Sequence, residues 1–333
     1  MPWSPAKSTI VVILVLALLG VGTFAFLNWQ FGYKVPSPAT PTPPVDLSLV
    51  NRPKYKYKII GTSVEGRKLE TYTYGTGTTI LVFVGGVHGG YEWNSVLLAN
   101  QFIDYLSKNP KTVPSNLSVT VIPNLNPDAV FAVTGKEGRF TMADVSTDQA
   151  VLTAARFNAN KVDLNRNFDC KWQATSTWQK KKVSGGTVAF SEPETAAFRD
   201  FVLAIKPAGV VFWHSKSNAV YASQCEKGIL PATLEMMKTY ATAADYPAVK
   251  TFDAYATTGA ADDWLASQKI PAITVELSTH ETIEWDKNLA GIKALLGYYG
   301  QNLYMGTAKR ETNQWRKYKI LDSCSFFGNM VHV

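Results

Sequence analysis

Four short apolar runs constrain this chain more than any other feature. Ile80 to Val84 reads ILVFV, and "LSVTVIPNLNPDAV", from Leu117, opens on a second run. Ala208 to Trp213 forms a third and Ala272 to Val275 a fourth. Near-continuous apolar runs of this length are the mark of strands covered on both faces. Between them, Val96, Leu97, Leu98, Phe102, Ile103 and Leu106 recur at helical spacing. "SEPET" predicts a helix start, with Ser191 as its cap and Glu194 completing a capping box. A last helix is expected over Trp285 to Tyr304. The stretch "YKYKIIGTSVEGRKLETYTYGTG" alternates and reads as two or three further strands. Strands alternating with helices predict an α/β sheet with helices on both faces. At 333 residues, 46% of them hydrophobic, the chain has ample material for such a core.

The ends of the chain read differently. Ile10 to Leu27 is 18 residues without a charge, preceded by Lys7 and followed by Trp29 and Tyr33. That is long enough to span a bilayer, with aromatic residues at interfacial depth. Gly20 to Ala25 also offers small residues for a cleavage site. The expectation is therefore a membrane anchor over 1–34, or a signal segment that is removed. "VPSPATPTPP" follows as a semi-rigid spacer within a linker over 35–50. A globular domain is expected over 51–305 and a basic tail over 306–333. Lysine on the N-terminal side places the domain outside the cytoplasm, anchored or secreted. The net charge of +7 is scattered over Lys180 to Lys182 and Lys309 to Lys319, with no aromatic-basic motif beside it. No nucleic-acid partner is expected, and a monomer is.

Reactive side chains gather where the apolar runs stop. "GGVHGGYE" follows the first run and brings His88 and Glu92. The third run ends at His214 and the fourth at Glu276. In α/β sheets, sites form beyond the carboxyl ends of strands. Two imidazoles and one carboxylate are a common ligand set for catalytic zinc, so His88, Glu92 and His214 are candidate ligands. Glu276 is then the carboxylate left to deprotonate a water. Asp163 is a candidate partner for the far nitrogen of His88.

Five stretches, in order, extend this reading: "GGVHGGYE", "NPD", "RFNANKVDLNRNFD", "FWHS" with "YATTGAADDW", and "ITVELS". The set resembles the zinc metallocarboxypeptidases, the carboxypeptidase A-like family, from about Ile59 to Tyr304. It is closest to compact bacterial members with the HGGYE form of the first zinc motif. The resemblance implies one Zn2+ and a mixed, mostly parallel sheet of about eight strands with helices on both faces. It implies hydrolysis of the C-terminal peptide bond, with peptides or murein peptides as substrate. His88, Glu92 and His214 would hold the zinc. Glu276 would be the general base and Arg156 the stabiliser of the oxyanion. Asn165 and Arg166 would hold the substrate's terminal carboxylate, Tyr255 would close over it, and Asp163 would orient His88. Asp262 falls where the family places the floor of its specificity pocket, which implies preference for a basic or diamino terminal residue. A Cys170–Cys225 disulfide is also implied, leaving Cys324 unpaired.

Several points stay open at this level. The family's first motif has two residues between His and Glu; here there are three, Gly89, Gly90 and Tyr91. Glu92 is therefore either a ligand or only a dipole partner for a helix starting at Trp93. Arg139 competes with Arg156, and Asp263 competes with Asp262, which itself could instead cap a helix. His280 reads as an exposed loop residue and His332 as part of the tail. Murein peptide amidase or endopeptidase activity and N-acyl amino acid deacylation are alternatives on the same scaffold. A non-catalytic surface-binding protein is the alternative of another class.

Overall fold

The computed structural model describes residues 55–301. The expected anchor, linker and basic tail, with Cys324 and His332, lie outside the described residues. Among the described residues no helix is long and apolar enough to cross a membrane.

Two antiparallel strands, β1 (Lys56–Thr62) and β2 (Lys68–Gly75), lead into β3 (Thr79–Val84). Helix α1 (Trp93–Lys108) follows, then β4 (Leu117–Ile122) and the short helices α2 (Pro127–Thr134) and α3 (Gln149–Ala154). A hairpin, β5 (Thr175–Trp178) and β6 (Lys181–Ser184), precedes α4 (Pro193–Ile205). Then come β7 (Gly209–Ser215), β8 (Ala219–Ala222), the small pair β9 (Gln224–Cys225) and β10 (Gly228–Ile229), and α5 (Pro231–Ala244). The described chain closes with β11 (Ala248–Val249), α6 (Ala261–Ser267), β12 (Ala272–Leu277) and a helix over 285–301, α7.

Eight strands form one sheet in the order β1-β2-β4-β3-β7-β12-β8-β11. Four of its seven neighbouring pairs are parallel, β4 with β3, β3 with β7, β7 with β12, and β8 with β11. The other three are antiparallel. The sheet is thus mixed and mostly parallel, as expected.

The apolar runs are the four central strands, and their side chains alternate between two cores. Leu81, Phe83, Val211, Trp213, Ile273 and Val275 pack on one face against α1, α5 and α7. Phe83, Phe102 and Trp213 form the aromatic centre of that layer. Val82, Val84, Val210, Phe212 and Ala272 point the other way, toward Phe198 and Val202 of α4 and Trp264 and Leu265 of α6. Both tryptophans are core residues, 0% and 3% exposed. Truncating a buried aromatic such as Phe83 to Ala would cost about 3–5 kcal/mol.

One local expectation changes. Helix α4 begins at Pro193, so its cap is Glu192 rather than Ser191, and no side chain caps it. Glu194 accepts instead from the Val64 amide at 3.1 Å and from Asn158, tying α4 to the β1–β2 turn. Proline at the first helical position needs no partner for its nitrogen, which removes the demand for a capping box. After β4, helix α2 starts at Pro127 with Asn126 as its cap. The alternating N-terminal stretch makes two strands before the glycines at 75–77.

Candidate active site and metal centre

Strands β3, β7 and β12 are successive parallel neighbours, so their carboxyl ends lie side by side. Adjacent strands stand about 4.8 Å apart, which brings together residues distant in sequence. Val84 is in register with Phe212, and His214 with Glu276. His88 follows β3 by a few residues.

The inserted residue of the first motif is absorbed by one turn of 3-10 helix over Gly89–Glu92. Gly89 has φ +46, and a Cβ there would stand 2.5 Å from the Ala129 Cβ. A Cβ on Gly90 would stand 2.6 Å from the Ala129 carbonyl oxygen. Both glycines are therefore required for the turn to press against α2. The turn delivers Glu92 into the site. Glu92 is the residue at the N-terminus of α1, yet its carboxylate makes no cap. Its Oε2 lies 2.8 Å from His214 Nδ1 and accepts from the Ser215 amide at 3.2 Å. In this geometry the carboxylate turns to His214 and Ser215 of β7 and not to the free amides of α1.

One donor atom each from His88, Glu92 and His214 lies within 4.8 Å of the others, and all three residues are buried. His88 Nδ1 and Glu276 Oε2 are buried with no hydrogen-bond partner among the described residues. Buried polar atoms of this kind call for a partner. A cation between two imidazoles and a carboxylate supplies one, so the residues fit a divalent metal such as zinc.

The electrostatics of His88 suit a metal, while in the metal-free site His214 is drawn toward its charged form by Glu92. Burial, and then the Arg156 charge, hold His88 well below the usual histidine range, in the neutral form a metal needs. Burial also opposes charge on His214, but the Glu92 carboxylate outweighs it and raises the group. Burial first, and Glu92 second, push Glu276 up to about 7.

Arg156 is 3% exposed. Its Nε and a terminal nitrogen both meet Asp163 Oδ2 at 3.0 Å, and the other lies 3.8 Å from Glu92 Oε1. The guanidinium also lies 4.5 Å from the Trp178 ring centroid. Arg139 lies elsewhere, exposed and paired with Asp104 at 2.8 Å. The oxyanion candidate brought to the metal cluster is thus Arg156. Asp163 is closer to Arg156 than to His88, whose Nδ1 is 3.4 Å from its Oδ1. In this geometry Asp163 chiefly anchors the arginine.

Asn165, Arg166, Tyr255, Asp262 and Asp263 line the same cavity, about 300 Å3 in volume. Asn165 Oδ1 accepts from the Ala261 amide at 2.9 Å, which leaves its NH2 for a ligand. Arg166 spends Nε and one terminal nitrogen on the Thr177 carbonyl and another on that of Asn165. A guanidinium has five donors, so two remain. Tyr255 packs edge-on against Phe252. Asp262 is not a helix cap, because α6 is preceded by Ala260 in that role. Its Oδ2 accepts from Thr274 at 3.0 Å, two residues below Glu276 on the same face of β12. Asp263 accepts from the Gln224 amide, and burial first, then Asp262, push it up to about 8. Cys170 and Cys225 form a disulfide that ties the loop after Arg166 to β9.

The sequence profile of the zinc carboxypeptidases matches residues 51–296, well over half of the chain. This chain belongs to the zinc carboxypeptidase family. Its curated relatives in the family include a gamma-D-glutamyl-L-diamino acid endopeptidase of Lysinibacillus sphaericus, 22% identical over 66% of this chain and 60% of that protein. A zinc carboxypeptidase of Simulium vittatum is 25% identical over 66% of this chain and 77% of its own length. Among solved structures, murein-tripeptide amidase from Escherichia coli O157 superposes with a TM-score of 0.52 at 23% identity. That match covers 72% of this chain and 91% of the amidase, and it speaks to the zinc carboxypeptidase fold alone.

The site also holds residues that sequence reasoning missed. Tyr91, Trp178 and His280 line the cavity. His280 is not an exposed loop residue, because its Nδ1 lies 2.7 Å from Ser215 Oγ and its ring packs on Tyr91. Only the position of "STHETIEW" just after Glu276 hinted at it. Nothing in the sequence marked Trp178, which arrives on the β5–β6 hairpin.

Proposed function

We propose that this chain is a zinc-dependent carboxypeptidase that removes one residue from the C-terminus of a peptide. The carrying observation is the buried His88–Glu92–His214 cluster facing Glu276, in one cavity with the spare donors of Asn165 and Arg166. Zinc, when bound, would supply a Lewis acid beside the scissile carbonyl. One ion per chain is proposed, held by the one such cluster among the described residues. The protein's own groups do the rest. Asn165 and Arg166 take the terminal carboxylate, for which a planar fork of donors is suited. Glu276 accepts a proton from the attacking water and returns it to the leaving amine. Arg156 faces the carbonyl oxygen as it gains charge, held in place by Asp163. Tyr255 closes over the bound residue. Asp262 at the floor favours Lys, Arg or a diamino acid; Asp263, raised by burial, enters near pH 7 as a neutral acid.

A second reading is cleavage of murein peptides as an amidase or endopeptidase. It is favoured by the likeness to the gamma-D-glutamyl-L-diamino acid endopeptidase. A diamino residue also suits Asp262. Either activity fits a domain over 51–305 held outside the membrane by the segment 1–34, or released from it, as we further propose from the sequence.

The test is a digest of peptides ending in Lys, Arg, Phe, Leu and Glu, with a murein tripeptide ending in diaminopimelate, read by mass spectrometry. Loss of one terminal Lys or Arg, abolished by chelator and restored by zinc, is expected. Cleavage of the murein peptide alone would move the function to wall turnover. Zinc binding without any cleavage would sink both readings.

A further inference from the structure

Arg156 and Arg166 sit on neighbouring loops, and both loops are pinned at one place, the N-terminal end of α4. The pins are Asn158, two residues after Arg156, and Asn167, directly after Arg166. Neither lines the cavity, and both are buried, at 4% and 0% exposure.

Asn158 closes the loop that runs from Arg156 to Asp163. Its backbone amide donates to the Val162 carbonyl, and its Oδ1 accepts from the Val162 amide, each at 3.0 Å. Its Nδ2 reaches across to α4 and donates to Glu192 Oε2 at 2.7 Å and Glu194 Oε2 at 3.2 Å. Asn160 donates to the same Glu192 oxygen at 2.8 Å. Both amide hydrogens and the oxygen of the Asn158 side chain are thus engaged.

Asn167 is held from the other side. Its Oδ1 accepts from the Glu192 backbone amide at 3.2 Å and from Thr195 Oγ1 at 2.6 Å. Its Nδ2 donates to the Gly185 and Val188 carbonyls at 2.7 and 3.0 Å. Glu192 is therefore common to both pins: its carboxylate serves Asn158 and its backbone amide serves Asn167. It is 4% exposed and lies outside the cavity lining.

A shared anchor has a chemical consequence. One residue of substrate separates the terminal carboxylate from the scissile carbonyl, so the two arginines must stand at a set spacing. A misplacement of about 1 Å can cost about a hundredfold in rate. Two loops tied to one glutamate keep their spacing when either is pushed.

We propose that Glu192, acting through Asn158 and Asn167, sets the spacing between Arg156 and Arg166, and that these three are positioning residues for the reaction. This rests on the carboxypeptidase reading, and the measurements below separate the two. Lysine release from acetyl-Gly-Phe-Lys would be followed per mole of folded, zinc-bound chain. In parallel, each variant would bind the same peptide in a Glu276→Gln background by calorimetry, which needs no turnover. Asn158→Ala and Glu192→Ala should each lower kcat about ten- to hundredfold, because they loosen the loop of Arg156. The double variant should be no worse than the poorer single one, since both break the same contact. Glu192→Gln keeps an accepting oxygen and should stay within about threefold of wild type. Thr195→Val, the mildest change, loosens Asn167 and should raise KM and weaken peptide binding about two- to fivefold, with kcat little changed. Asn158→Ala should leave peptide binding within about twofold. Additive losses in the double variant would overturn the shared anchor. So would equal shifts of kcat and KM in Asn158→Ala and Thr195→Val, the mark of a merely structural role. A wild-type chain that releases no lysine, yet binds the peptide more tightly than its Thr195→Val form, would sink the carboxypeptidase reading and leave the anchor of Arg166 standing. Lysine release that none of these changes alters would do the reverse.

Discussion

The Nδ1 of His214 lies 2.8 Å from Oε2 of Glu92, across 122 residues of sequence. Neither side chain is free to leave, for both are buried and the Ser215 amide holds the same oxygen. If this pair is two-thirds of a metal site, Glu92→Ala should weaken zinc binding by more than about a hundredfold, beyond what loss of a supporting partner costs. Zinc content after dialysis against a graded chelator reads this directly. Retention of metal at the wild-type level would place the ligand elsewhere.

Glu276 should behave differently from the ligands. Glu276→Gln is expected to keep its zinc and lose about 10²–10⁴ in kcat, the usual worth of a positioned base. Burial raises its carboxyl to about 7, and a bound cation would favour the ionised form and lower it. The base works only when ionised. Activity should therefore rise with pH along an acid limb whose midpoint lies at or below about 7. An activity that falls with pH across that range would assign the limb to another group.

Arg156 and Arg139 should separate cleanly. Arg156→Ala leaves the Asp163 carboxylate buried without its guanidinium partner, so a loss of about 3–5 kcal/mol in stability is expected. Its loss of oxyanion stabilisation adds about 10²–10³ in kcat. Arg139→Ala removes an exposed pair and should change stability by less than about 0.5 kcal/mol, with activity intact. Denaturant melts and turnover of the two variants settle the assignment, and equal effects would refute it.

Asp262→Asn keeps the shape of the pocket floor and removes its charge. Release of terminal Lys or Arg should fall at least about tenfold against release of Leu, because a buried ammonium loses its partner. An unchanged Lys-to-Leu ratio would pass the role to another lining residue.

The disulfide closes a loop of 55 residues. Replacing Cys170 and Cys225 by Ser should lower stability by about 4 kcal/mol, on the chain-entropy account. The measurement is a denaturant melt in the presence of chelator, so that metal binding does not mask the change. Equal stability would mean that the pocket loop is braced by its other contacts.

Much of this was legible in the chain. The four apolar runs marked β3, β4, β7 and β12, because strands covered on both faces leave few polar positions, Ser118, Thr120 and Thr274 being the exceptions within them. His88, His214 and Glu276 could be read as a group, because each follows such a run. The cap of α4 was misplaced by two competing signals, a serine and a proline, and the proline won. His280 was misjudged since its burial depends on Asn94 and Ser215, which no local pattern links to it. Trp178 gave no sign at all, as a tryptophan in a short hairpin looks the same wherever the hairpin folds.

The sequence by itself determined the residue types of the site and the strands that carry them, because periodicity and burial are local properties. Tertiary structure alone decided which arginine meets the metal cluster, whether the three-residue gap before Glu92 could be absorbed, and which rings border the cavity. Those outcomes depend on strand order and on close approach between distant segments, such as Gly89 against Ala129. Such contacts leave no trace in the spacing of residues along the chain.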